Sequence, residues 1–157
     1  MAALYWIYAN ISPHIYAISW LWILLEILHY IGLCLLLGAL FLMDVRLLGF
    51  NRRLPLGVIN DLVPLVYIGF GLNLITGLIF YLGNPVSYTL NPAFQVKMLL
   101  ILIAGFNGVF YRWKIYPQLA AWDRGVPVPL YAKSVGALSL FLWLIVVYCG
   151  RVIPYVG

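Results

Sequence analysis

The sequence predicts an all-α fold, a transmembrane four-helix bundle with a short N-terminal interfacial helix. Three observations predict it. Hydrophobic residues make up 66% of the 157-residue chain and charged residues only 8%, with a mean hydropathy of +1.05; a soluble domain carries about 25% charge. The apolar residues gather into four stretches of about 20, the length of helix that crosses a bilayer core. The basic residues fall mainly in alternate connections. One integral membrane domain over 1–157 accounts for the whole length.

The elements follow in order. Ala2–Ile11 is aromatic and spotted with polar groups (Tyr5, Trp6, Tyr8, Asn10). Trp and Tyr favour the headgroup level, so a short helix lying on the membrane is expected, with Pro13 separating it from the first span. Met1–Trp22 has no Lys or Arg and no small-residue cleavage site, so it does not read as a removed leader. The first span is expected at about 18–43. Asp44–Leu47 continue its pattern without a breaker, so that end is expected to project into water, with Asp44 and Arg46 marking the boundary. Gly49, Asn51 and Pro55 end it. The second span is expected at about 62–82, with Asn60 or Asp61 as its N-cap and Gly83-Asn84-Pro85 as its stop. The third, at about 93–111, starts at Asn91-Pro92, a cap followed by proline at the first helical position. Pro117, Gly125, Pro127 and Pro129 fill the next loop. The fourth is expected at about 135–153.

Arg46, Arg52 and Arg53 flank the first connection, and Arg112, Lys114, Arg124 and Lys133 the third; the N-terminus and second connection have none. The positive-inside rule then puts these loops in the cytoplasm and both termini outside, in a multi-pass protein of a bacterial inner membrane. On this reading the net charge of +5 reports orientation and contact with lipid, and nucleic acid is excluded as a partner.

Lys97 and Arg151 depart from the rule. Lys97 lies about 7 Å into the third helix, and Arg151 is near the matching end of the fourth. Glu26 and His29 lie within the first span, i and i+3, on one face. Charged groups inside a bilayer face the bundle interior and pair. The expectation is a polar pocket in the outer half of the membrane, with Glu26 or His29 at its floor and Lys97 and Arg151 as counter-charges. Gly32, i+3 from His29, leaves room either for a flat ligand or for a close neighbouring helix. If the ligand is haem b, His29 is the metal ligand, Glu26 or a backbone carbonyl orients its ring, and Lys97 and Arg151 meet the propionates. His14 is a second ligand only if the bend at Pro13 folds the N-terminal segment over the pocket. A quinone is the other candidate. A structural network of Glu26, His29 and Lys97, with the long basic chains reaching the headgroups, accounts for the same residues without a ligand.

Glu26-x-x-His29 also has di-iron spacing, but the chain holds a single glutamate, too few for that architecture. Cys34 and Cys149 read as buried free thiols. Gly69, Gly71, Gly77, Gly105, Gly108, Ser134, Gly136 and Ser139 read as sites of close helix approach or of an oligomer interface. Asn73 and Asn107, mid-span amides, either join helices or line the pocket.

Leu28–Leu33 (LHYIGL), Gly38–Gly49 (GALFLMDVRLLG), Phe94–Lys97 (FQVK) and Gly150-Arg151 resemble small bacterial four-span membrane proteins of unknown function. That group is distantly similar to the copper-resistance D proteins and to the J-type membrane protoporphyrinogen oxidase. The oxidase resemblance implies haem or porphyrin handling by His29 and Lys97, with Arg46 near the family's arginine. The family's histidine late in the third helix is replaced here by Asn107-Gly108.

Two functions of different class follow. The first is a membrane cofactor protein supporting electron transfer, with haem b or a quinone at His29. The second is a non-catalytic accessory subunit of a larger membrane complex, or a homo-oligomer, whose Trp, Phe and Tyr ridges contact neighbours as well as the lipid bilayer. Copper or small-solute transport is a third.

Overall fold

The computed structural model describes residues 1–50, 55–123 and 126–156, without the side chain of Asn60. The expected Arg52, Arg53 and Arg124 of the basic loops lie outside them. All regular structure among the described residues is helical. A pair of short helices, α1 (Ala2–Asn10) and α2 (Ser12–Tyr16), precedes the long α3 (Ser19–Leu47). Next come α4 (Leu56–Asn60), α5 (Val63–Gly83), α6 (Pro85–Leu90) and α7 (Pro92–Phe110). α8 (Leu119–Asp123) and α9 (Leu130–Val152) complete the order. Four of these runs are long and apolar enough to cross a membrane. Few of their residues are buried within the chain, so the apolar surface faces lipid and the protein is a multi-pass membrane protein.

The bundle is an open arc. α3 packs along α5 on one side and α9 on the other, and α9 packs along α7. α5 and α7, at the ends of the arc, scarcely touch along their lengths. At one end Tyr81 stacks on Phe94 with ring centroids 5.8 Å apart.

Small residues set the closest crossing. A Cβ on Gly69 would stand 2.6 Å from the Leu36 nitrogen and 2.7 Å from the Gly32 oxygen. A Cβ on Gly32 would stand 2.5 Å from Asn73 Nδ2. Gly136 similarly admits the backbone of Asp44 and the side chain of Leu47. Gly71, Gly105 and Gly108 face open space and play no such part.

The connections depart from expectation in four places. The end of α3 does not project into water: Asp44, Arg46 and Leu47 are buried. A cap covers it, in which Leu47 packs with Leu56, Ile115, Leu119, Trp122 and Ala132. Neither Asn60 nor Asp61 caps α5. Asn60 ends α4, Leu62 is the N-cap residue, and Pro64 opens the helix. α7 ends at Phe110 as expected, but the helical path continues through a π-helical turn, Tyr111–Ile115, and a 3-10 turn that absorbs Pro117. α9 starts at Leu130, earlier than expected, because Pro129 already has the extended conformation that precedes a helix. Of the two thiols, Cys149 is buried as expected, but Cys34 is exposed on the membrane face of α3.

Asn91 performs the expected capping, accepting from Phe94 N at 3.1 Å. Its Nδ2 also donates to the carbonyls of Ile153 (2.9 Å) and Val156. One buried amide thus starts α7 and fastens the turn that follows α9. Asn91→Ala should cost about 2 kcal/mol, one cap plus the tether. Thermal unfolding in detergent would measure it, and a shift no larger than that of an exposed control would contradict this role.

Candidate functional site

The residues that sequence reasoning grouped together separate into two sets. His29 and Lys97 face the interior of the arc. His29 is half-buried, its Nδ1 2.7 Å from Thr76 Oγ1 on α5. Thr76 is 2% exposed, and its hydroxyl is also 2.7 Å from the carbonyl of Leu72. A hydroxyl has one proton, and a carbonyl only accepts. Thr76 therefore donates to Leu72 and accepts from His29 Nδ1–H. This network assigns the tautomer: the second nitrogen, Nε2, carries the lone pair. Among the described residues nothing hydrogen-bonds Nε2.

Lys97 comes from α7 and reaches toward α9; its Nζ would lie 3.2 Å from a Cβ on Gly150. Its ammonium is close enough to act electrostatically on the His29 ring. No acceptor among the described residues bonds it. An imidazole on α3 and an ammonium on α7 thus turn toward the interior of the arc, whose two ends, α5 and α7, meet at a seam with few contacts.

Glu26 and Arg151 take other places. Glu26 is exposed and accepts from Trp22 Nε1 at 3.0 Å; it pairs with neither His29 nor Lys97. Arg151 is exposed, its guanidinium over the ring of Tyr155 at 5.5 Å. Gly32 faces α5, so the space beside it holds a neighbouring helix and has no room for a flat ligand. The break falls at Ile11, with Pro13 inside α2, and α2 lies over the bundle end. Ser12 Oγ donates to the Leu82 carbonyl at 2.9 Å, and Tyr16 stacks on Trp22 at 5.3 Å. His14 itself is exposed on α2. Asn107 joins α7 to α9 through the Val135 carbonyl, while Asn73 bonds its own helix.

An aromatic roof covers His29. Phe80 lies against it at 5.5 Å and Trp22 against Phe80 at 5.0 Å. Tyr88 of α6 lies edge-on to Phe94 of α7. Burial, with Tyr16 and Glu26 nearby, raises the Tyr88 phenol above its ordinary pKa. Glu26 therefore serves the roof by holding the Trp22 indole. Thr76 and Phe80 had no sequence signal of their own: α5 carries them 47 and 51 residues beyond His29, and only the shared face with Asn73 marks them as inward.

A second polar group lies at the opposite end. Asp44 is 5% exposed, with Ser139 of α9 beside its carboxyl. Its Oδ2 is buried without a hydrogen-bond partner. Among the described residues no group of three His, Cys, Asp or Glu side chains gathers to hold a metal.

The architecture defines the class: a four-span helical membrane protein with an interior imidazole and ammonium. Comparison with family models, curated proteins and solved structures finds no match to the chain.

Proposed function

We propose that the chain binds a quinone–quinol pair in the seam between α5 and α7 and supports electron transfer in the membrane. The observation that carries this reading is the 2.7 Å contact of His29 Nδ1 with Thr76 Oγ1, whose own proton goes to the Leu72 carbonyl. With Nδ1–H committed to Thr76, Nε2 is a ready acceptor for a quinol hydroxyl proton. Lys97 supplies the complementary donor for a quinone oxygen. The cofactor supplies the redox chemistry, its electrons passing to a redox partner protein in the same membrane. The chain's own residues position the ring, accept the proton and, through the Trp22–Phe80 roof, keep water from one side.

A haem b reading has one observation in its favour, the same free Nε2, which suits an axial ligand. The filled space at Gly32 and the exposed His14 favour the quinol over a haem with two histidine ligands.

The test is binding of a short-chain quinol to the protein in nanodiscs, followed by tryptophan quenching. His29→Phe should weaken it at least about tenfold, the value of one hydrogen bond to a buried polar partner. Lys97→Met should weaken the quinone more than the quinol. Equal binding by wild type and His29→Phe would end the quinol reading. A Soret band lost in His29→Phe would favour haem.

A further inference from the structure

The turn that follows α7 reads Tyr111-Arg112-Trp113-Lys114-Ile115-Tyr116, with a cation on either side of an indole. Arg112 stands 21 residues after Asn91, the cap of α7, about 31 Å along the axis. A hydrocarbon core is about 30 Å thick. With Asn91 near one boundary, Arg112 is at the other, where lipid headgroups sit. Aromatic side chains mark the same level: Trp113 is 76% exposed, and Tyr116 and Tyr131 are exposed beside it in the fold.

The turn is fixed in place. Ile115 is wholly buried in the apolar cap. Gln118 Nε2 donates to the Lys114 carbonyl at 2.6 Å, and Gln118 Oε1 accepts from the Tyr131 hydroxyl at 2.8 Å, which ties the turn to α9. Arg112, Trp113 and Lys114 are all left exposed. Arg112 is held as well, its Cζ 4.0 Å from the centroid of the Tyr116 ring. The ring takes one face of the guanidinium and leaves its N–H edges free. Among the described residues no carboxylate pairs with Arg112 or Lys114. Asp123 is committed to the Leu56 and Gly57 amides, and Asp44 is buried.

The geometry points to an anionic-lipid site: a phospholipid of net negative charge, its phosphate received by the N–H edges of Arg112, with Lys114 on the far side of Trp113. Charge and depth select the occupant. A planar fork with free edges is complementary to a phosphodiester. A zwitterionic headgroup brings an ammonium that the two cations repel, and a soluble anion has no acyl chain for the exposed indole to meet. The general attraction of a basic loop for lipid counts charges; this site depends on one guanidinium and the ring that holds it.

The test compares dioleoyl phosphatidylglycerol with dioleoyl phosphatidylcholine, identical in their chains. The full chain is placed in nanodiscs of equal parts of the two, released into mild detergent, and its retained lipid counted by native mass spectrometry. Wild type should retain the glycerol lipid in excess. Arg112→Gln should reduce that excess roughly fivefold, the effect of one basic residue at a membrane surface. Arg112→Lys and Tyr116→Leu keep the net charge but lose the fork or its support, and each should reduce the excess at least about twofold. Lys133→Gln removes one charge from the first turn of α9, at the same end of the bundle, and should leave the excess in place. Tyr116→Leu decides the matter if the arginine variants fail to fold. A wild type without excess overturns the proposal. An equal fall in Arg112→Gln and Lys133→Gln overturns it too, because the attraction would then be one of net charge. Release of the lipid by excess inorganic phosphate would give the site to a soluble anion and end the lipid assignment.

Discussion

Gly69→Ala should be the most damaging single-methyl addition in the bundle, costing about 3 kcal/mol or more. The nearest atoms to the new Cβ are backbone, the Leu36 nitrogen at 2.6 Å and the Gly32 oxygen at 2.7 Å, and neither can turn aside. α3 and α5 would have to separate, and their contact is the most extensive in the molecule. Membrane helices gain little hydrophobic drive from one another, so close packing and the dispersion it brings hold the pair. Separation would also draw Thr76 from His29 and free the ring to adopt either tautomer. Gly32→Ala should cost less, because its closest clash is the end of the Asn73 side chain, which can rotate. Gly71→Ala and Gly105→Ala, open at the Cβ, should be neutral or slightly stabilising. Unfolding in mixed micelles by titration with SDS gives the order. Equal losses at Gly69 and Gly105 would remove the close crossing from the account.

That contrast among glycines shows what the sequence could and could not convey. Length and hydropathy carried the four spans, since a bilayer demands about 20 apolar residues whatever their partners. Asn91 was legible as a cap because capping is local chemistry, settled within three residues. The glycines were equivalent in sequence, and only the crossing of α3 with α5 distinguishes Gly69 from Gly71. The overshoot of α3 was legible as a pattern, but its burial was not: the cap that covers it comes from residues 56–132, and no local signal announces that long-range packing.

The site divides in the same way. That an imidazole and an ammonium within spans must turn inward follows from the cost of charge in lipid, and His29 and Lys97 do so. The same reasoning overreached for Glu26 and Arg151. Arg151 lies in the last turn of α9, where a long side chain reaches polar surroundings without entering the bundle. Glu26 found a partner one turn back on its own helix, in the Trp22 indole. Asp44 read as a boundary marker, because its neighbour Arg46 and the following loop residues are basic; its burial depends on Ser139 and Gly136, more than 90 residues away.

Asp123→Ala should be the second large loss, about 3 kcal/mol, at the end of the bundle that carries the basic loops. The carboxylate of Asp123 accepts from Leu56 N at 2.6 Å and Gly57 N at 2.9 Å. It caps the start of α4 from 66 residues away, with no helper from α4 itself, whose N-cap residue is Pro55. Hydrogen bonds to a charged acceptor contribute about 1.5–3 kcal/mol each. The guanidinium of Arg46, 4.0 Å off, adds a smaller attraction. What gives these bonds their reach is their neighbours in the chain. Leu56 and Trp122, each adjacent to a bonding group, belong to the apolar cluster that buries Leu47. Without the carboxylate, α4 has two amides unsatisfied at its start and only apolar packing holding it to α8, so the cluster loosens and the end of α3 meets water. Asp61→Ala removes the same charge from the other end of α4, where no capping bond depends on it, and should stay within about 0.5 kcal/mol. Hydrogen exchange distinguishes a local from a global effect. In Asp123→Ala the Leu56 and Gly57 amides should exchange fast while those of the α3–α5 crossing remain protected. Retained protection at Leu56 would mean that α4 is held by packing alone, and the long-range cap would lose its claim.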